Sequence, residues 1–151
     1  MATRDEHGLF LSQASYTRDI LQRAVMASCK PCATPVDMST KLSAIDGEPL
    51  ADGTLYRTLV SALQYLTFTR PDIAYDVRKV FLFMHAPCEP HLQFMKKIFH
   101  YLQGTIDYGL QIVQSSSNTP TAYSDADWGR CPDSRRSTSR YYVFLGNNLI
   151  S

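Results

Sequence analysis

Apolar side chains recur every three to four residues in four stretches of this chain, and elsewhere they fall into short runs or alternation. The run Leu9-Phe10-Leu11-Ser12 predicts a strand. Tyr16, Ile20, Leu21 and Ala24 predict a helix over 14–27, with Val25 joining its apolar face and Ser12 or Ser15 placed as its cap. Residues 29–53 are rich in Pro, Ser, Thr, Asp and Gly, show no period, and read as a loop or linker. Thr54 opens a second helical segment, with Leu55, Leu59, Ala62, Leu63 and Leu66 on one side.

Thr69-Arg70-Pro71-Asp72 interrupts that segment. Pro71 suits the first turn of a new helix, and Asp72 suits its positive end. The stripe of this helix is Ile73, Val77, Val80, Phe81 and Met84. Pro87 and Pro90 punctuate again, and a further helix over about 91–103 carries Leu92, Met95, Phe99 and Leu102, with Gly104 as its stop. Strands follow at Tyr108–Val113, Ala122–Asp127 and Tyr141–Leu145, with Asn147 and Asn148 in a turn before Leu149-Ile150. No internal repeat is present.

Composition adds little to this picture. The 151 residues amount to one domain, and a 44% hydrophobic content supports a core. The balance of 15 basic and 14 acidic residues gives a net charge of +1, which makes no electrostatic case for a nucleic-acid or membrane partner. No apolar run reaches the length of a membrane span. Met1-Ala-Thr-Arg-Asp-Glu-His lacks an apolar signal region, so the expected location is intracellular rather than secreted, in cytoplasm or nucleus. Arg4, Arg18, Arg23, Lys30 and Lys41 among Ser, Thr and Ala favour a mitochondrial presequence, and Asp5, Glu6 and Asp19 argue against it. The 4 cysteines of an unsecreted chain are expected as thiols.

The ordered strings along the chain are long. They include Gly8-Leu9-Phe10-Leu11-Ser12-Gln13, Tyr56-Arg57-Thr58-Leu59-Val60-Ser61-Ala62-Leu63-Gln64-Tyr65-Leu66 and Thr69-Arg70-Pro71-Asp72-Ile73-Ala74-Tyr75. Further on stand Phe83-Met84-His85-Ala86-Pro87, Tyr101-Leu102-Gln103-Gly104-Thr105, Ser124-Asp125-Ala126-Asp127-Trp128 and Arg135-Arg136-Ser137-Thr138-Ser139. In these the chain, from about Gly8 onward, resembles the copia-type retrotransposon polyprotein, its plant members above all, at the join between reverse transcriptase and RNase H.

The resemblance implies an α+β fold. It comprises a thumb-like helical bundle, a flanking N-terminal strand-helix, and a C-terminal antiparallel partial RNase H-like hairpin. By the same resemblance residues 1–53 are the palm end and linker, 54–104 the thumb, and 105–151 a connection with the first RNase H strands. The polymerase Tyr-x-Asp-Asp site is expected upstream of this chain, and the later RNase H carboxylates downstream. Asp125 matches the first RNase H metal-binding aspartate and is the lone catalytic position carried over. Three residues depart from the family pattern: Arg140 where Gly usually follows Ser-Thr-Ser, Arg130 where a small residue follows Asp-Trp, and Cys32 as an addition.

Several constellations are candidates for chemistry. Asp125 and Asp127, two apart on a strand, could seat one divalent cation; the bland reading is a pair of solvated carboxylates. Two-metal hydrolysis needs more ligands than these, so the chain is expected not to be an enzyme and to need no cofactor. Cys29-x-x-Cys32 with His85-x-x-Cys88 has the look of a zinc quartet, but the pairs stand far apart in sequence. Lys96, Lys97, Arg130, Arg135, Arg136 and Arg140 are the candidate phosphate contacts. Tyr65, Tyr75, Phe81, Phe83, Phe94, Phe99 and Tyr101 could stack bases, but their spacing favours the core.

Leu92, Phe94, Met95, Ile98, Phe99 and Leu102, with Tyr101, make the last helix apolar nearly all round, which predicts a surface for self-association or a protein partner. The expected function is therefore that of a stand-alone, non-catalytic retrotransposon-derived protein working through protein contacts, recruited as a regulatory or toxic factor. The alternative is a remnant that grips template–primer-like duplexes through its thumb helices.

Overall fold

A computed structural model describes residues 1–35, 42–44, 46–115, 117, 119–127 and 137–150, with the backbone alone at Asp127, Thr138 and Arg140. It is α+β. Among the described residues it has α-helices α1 (Ala14–Arg23), α2 (Thr54–Leu66), α3 (Ala74–Phe81) and α4 (Glu89–Gly104), and a 3-10 turn at Pro71–Ile73. Strands β1 (Ala2–Asp5), β2 (Gly8–Leu11) and β3 (Leu110–Val113) form one antiparallel sheet, and β4 (Pro120–Asp127), β5 (Thr138–Leu145) and β6 (Asn148–Leu149) form another.

The helices bury the residues that their spacing selects. Ile20 and Leu21 of α1 join Tyr56, Leu59, Val60, Leu63 and Leu66 of α2, Val77 and Val80 of α3, and Phe94, Met95, Ile98, Phe99 and Leu102 of α4. A single apolar cluster joins them, and it crosses the expected boundary at 53/54 because α1 is one of its walls. Tyr56 shows how a polar atom is kept inside: its hydroxyl donates to the Val80 carbonyl at 2.7 Å, and burial pushes its ionisation well above the ordinary tyrosine range.

Local chemistry explains where the observed elements depart from their sequence pattern. The first helix ends at Arg23 rather than residue 27. Val25 takes φ 57°, its N–H bonds the Gln22 carbonyl, and the Met26 N–H bonds the Leu21 carbonyl at 2.8 Å. This is the left-handed stop that usually takes glycine, held here by a β-branched residue that is 90% exposed. The N-cap is Gln13, and Ser12 Oγ instead accepts from the Ala14 N–H. α4 begins at Glu89, so Pro90 lies inside its first turn, where a missing N–H costs nothing. His91 closes that end: its Nδ1 accepts from the Cys88 N–H at 2.9 Å, and its other nitrogen meets the Ser43 carbonyl at 3.0 Å. Leu55 and Phe81, expected on apolar stripes, are exposed, while Tyr56 and Val60 take the inward positions.

The N-terminal strand has two partners that its run did not reveal. β1 pairs with β2 (Ala2 opposite Leu11), and β2 pairs with β3 (Gly8 opposite Val113), so residues about a hundred apart close one sheet. Gly8 makes this pairing feasible. It holds φ 141°, and a Cβ there would stand 2.1 Å from the Ile112 carbonyl oxygen. The second sheet is tied to the first by Asn148, which accepts from the Val113 N–H at 2.7 Å and donates to the Val113 carbonyl at 2.9 Å.

Candidate functional site

α4 decides the fate of most candidate residues. Phe94, Met95, Ile98, Phe99 and Leu102 are fully buried in the chain's own core, and Leu92 packs against it. They are therefore not an interaction surface. The helix is apolar nearly all round because α1, α2 and α3 all contribute to the cluster around it, and Tyr101 closes a further side. Of the candidate stacking aromatics, Phe94 and Phe99 are core as their spacing predicts, whereas Tyr65 and Phe81 are exposed. Tyr65 instead sits in a surface row, edge-on to Tyr16 at 5.3 Å and to Phe68 at 5.9 Å.

The outward side of α4 is crossed by residues 29–35. The Cys32 N–H donates to the His100 carbonyl at 3.1 Å, and His100 Nδ1 donates to the Lys30 carbonyl at 2.7 Å. The Cys29 thiol points at the Phe99 carbonyl, and burial is the main cause that raises its ionisation. A groove of about 410 Å³ lies between this segment and the helix. Lys30, Lys97 and His100 bring nitrogen to it, and Pro31, Cys32, Thr34 and Pro35 complete its lining. Lys97 is thus one phosphate candidate that the fold places at a concavity, beside Lys30, which sequence reading used only as a targeting signal. Lys96 is its neighbour on α4, outside the groove lining.

The other candidates stand apart. Asp125 is exposed on β4, in register with Arg140 of β5; Asp127 is two residues further along β4, in register with Thr138. Arg130, Arg135 and Arg136 lie outside the described residues. The zinc quartet is not assembled: Cys29 and Cys32 face α4 carbonyls, while Cys88 caps the other end of that helix. Among the described residues no three His, Cys, Asp or Glu side chains gather as a metal-holding group. No helix among them is long and apolar enough to cross a membrane.

Known proteins align with this chain along nearly its whole length. It is 47% identical to the retrovirus-related Pol polyprotein from transposon RE1 of Arabidopsis thaliana over 99% of its residues and 10% of that protein's. It is 44% identical to the corresponding protein from transposon RE2 of the same plant, with the same coverage. An uncharacterized mitochondrial protein of Arabidopsis thaliana is 42% identical over 95% of this chain and 60% of its own. The chain belongs to the copia-type, retrovirus-related Pol polyprotein family. It spans about a tenth of the length of the Pol polyproteins it matches. No family model and no solved structure matches it.

In this Pol relative, sequence reading passed over the most tightly built polar cluster. Arg70 is 2% exposed. Its guanidinium forks onto Asp72, with Nε to Oδ1 at 3.0 Å and Nη2 to Oδ2 at 2.7 Å, and also donates to the Thr105 carbonyl at 2.8 Å and its hydroxyl at 2.7 Å. Tyr101 donates its hydroxyl to Asp72 at 2.9 Å, and the Tyr101 and Tyr108 rings flank the guanidinium. Burial pushes the Asp72 carboxyl up, but the hydrogen bonds and charge of Arg70 outweigh it and hold the group below the ordinary carboxylate range. The cluster ties the turn before α3 to the carbonyl end of α4, where a cation is favoured. Its signal was present in Arg-Pro-Asp, whose Pro and Asp were read as a helix start while the Arg went unused.

Proposed function

We propose that this retrotransposon-derived chain is non-catalytic and acts by binding protein, with the sheet β4–β5–β6 as its contact surface. One observation carries the reading. No described side chain of that sheet is buried, and Tyr123 and Tyr141 are 62% and 60% exposed, with Tyr142, Leu145 and Ile150 beside them. A three-stranded sheet gains independent stability only by covering an apolar face. Among the described residues β4 is also an eight-residue edge strand, with β5 as its one neighbour. On this reading α2–α4 correspond to a thumb-like bundle, α1 to the end of the palm, and β4–β6 to the opening strands of an RNase H-like sheet. A second copy of this chain is the first partner to test, because β4 against β4 is self-complementary and would pair both open edges at once.

The non-catalytic part rests on ligand count. Two-metal hydrolysis needs several carboxylates around ions roughly 4 Å apart. β4 supplies Asp125 and Asp127. The second reading, grip on a hybrid duplex, has Lys96 and Lys97 on the outer side of α4 in its favour.

Light scattering on the size-fractionated protein, alone and with an RNA–DNA hybrid, tests both parts. The expected result is an assembly that persists in moderate salt, dissociates in Tyr123→Lys/Tyr142→Lys, and leaves the hybrid uncut in magnesium. A concentration-independent monomer that shifts onto the hybrid at low salt and releases it at high salt would favour duplex binding instead. Magnesium-dependent cleavage abolished by Asp125→Asn would overturn the non-catalytic reading.

A further inference from the structure

The groove between residues 30–35 and α4 combines three properties that do not arise from the sheet surface. The first is charge. Among its described lining residues Lys30 and Lys97 are the charged ones, and both are cationic. Among the described residues neither has a carboxylate within ion-pair distance, whereas Arg18, Arg23 and Arg70 pair with Asp107, Asp19 and Asp72. Two ammonium groups beside one cavity repel each other, and an anion between them removes that cost.

The second is preorganisation. The segment that forms one wall is fixed to α4 through Lys30 and Cys32. His100 Nδ1 and the His100 carbonyl bond Lys30 and Cys32 respectively, and the Cys32 thiol points at the Lys97 and Thr34 carbonyls. Pro31 and Pro35 stiffen the same stretch, and the Pro31 ring packs so close to Gly104 that a Cβ there would meet it at 3.0 Å. Lys30 is thus mounted on a wall held against the helix that carries Lys97, which removes part of the entropic cost of association.

The third is size and lining. A volume of about 410 Å³ falls in the range of roughly 300–1,000 Å³ typical of small-ligand pockets, larger than a bare oxyanion requires. Pro31 and Pro35 offer apolar wall, with Thr34 between Cys32 and Pro35 in the lining. Lysines act as point charges that suit phosphate.

We propose that this groove binds the phosphate group of a small organic phosphate, with Lys30 and Lys97 on the phosphate and the prolines against the organic part. A nucleic-acid backbone carries the same group, but gripping it calls for several cations spaced along a track. Of the candidate cations on the described surface, Lys96 alone adjoins the pair along α4.

Titration calorimetry with phenyl phosphate, inorganic phosphate and a single-stranded oligonucleotide tests this, read beside the rate of Cys32 alkylation mapped by peptide mass spectrometry. The expected result is one saturable site for phenyl phosphate, tighter than for inorganic phosphate, with slower Cys32 alkylation when it is filled. Lys30→Ala and Lys97→Ala should each weaken it about tenfold, the scale of one lost charge-assisted hydrogen bond, while Lys96→Ala leaves it unchanged. No saturation at concentrations on the order of 10 mM, or binding that Lys97→Ala leaves intact, would overturn the proposal. So would an oligonucleotide that binds more tightly than phenyl phosphate and depends on Lys96 as much as on Lys97.

Discussion

Replacing Arg70 with alanine tests whether the Arg70–Asp72–Thr105 cluster holds the helical body together. The substitution removes a guanidinium that is 2% exposed, takes the side-chain donor from the Thr105 hydroxyl, and leaves the Thr105 carbonyl with the Tyr108 N–H alone. It also leaves Asp72 charged with Tyr101 as its remaining side-chain donor. Deleting one partner of a buried ion pair costs about 3–5 kcal/mol. The Asp72 side chain is 35% exposed, so water recovers part of its solvation, and the lower end, about 3 kcal/mol, applies. For a chain of this length that is a fall in Tm of about 6–12 °C.

Urea unfolding followed by far-UV circular dichroism should show a lower midpoint with an unchanged slope. Arg70→Lys keeps the charge but not the fork, and should lose about 1–2 kcal/mol. The pH dependence has a definite sign. The Asp72 carboxyl is held below its unfolded value, so its stabilisation is complete above that value and drains away as pH falls through the folded one. Asp72→Asn should therefore remove its share of that acid slope. An Arg70→Ala loss below about 1 kcal/mol, with the slope unchanged, would refute the reasoning.

Two further predictions follow from single residues. Val25→Gly should stabilise the protein by about 1 kcal/mol in the same urea assay, because φ 57° is costly for a β-branched residue and this side chain is 90% exposed; a loss of stability would show that Val25 makes contacts outweighing its backbone strain. Asn148→Ala removes both hydrogen bonds to Val113. Amide exchange should then accelerate in β4, β5 and β6 while the α4 core stays protected, and uniform acceleration everywhere would mean that the two sheets and the helices open as one unit.

The helical body was legible in the chain because its signals are local. Leu59, Leu63 and Leu66 recur at helical spacing, Gly104 sits at the end of α4, and each is found where that pattern puts it. Leu55 misled because at the first turn of a helix adjacent positions compete for the inward direction, and Tyr56 holds it through a hydroxyl bonded to Val80, far along the chain. β1 went unread because Ala2-Thr-Arg-Asp has no apolar alternation; all four residues are exposed, and only backbone pairing with β2 makes them a strand. The cationic groove escaped for a related reason. Lys30 and Lys97 are ordinary surface lysines in the sequence, and their meeting depends on a proline-rich loop lying across a helix.

The sequence by itself determined the family and the four helical segments with their order, since identity and periodicity are properties of the string. It also determined that the last helix is apolar on more sides than one. What covers those sides is a question of distance, and only the tertiary structure decided it. α1, α2 and α3 contribute to the core around α4, so the apolar residues that looked like an interface are the core. Exposed aromatics lie instead on β4 and β5 and in the row of Tyr65 and Phe68. Periodicity records that a face must leave water, and the fold selects which neighbour removes it.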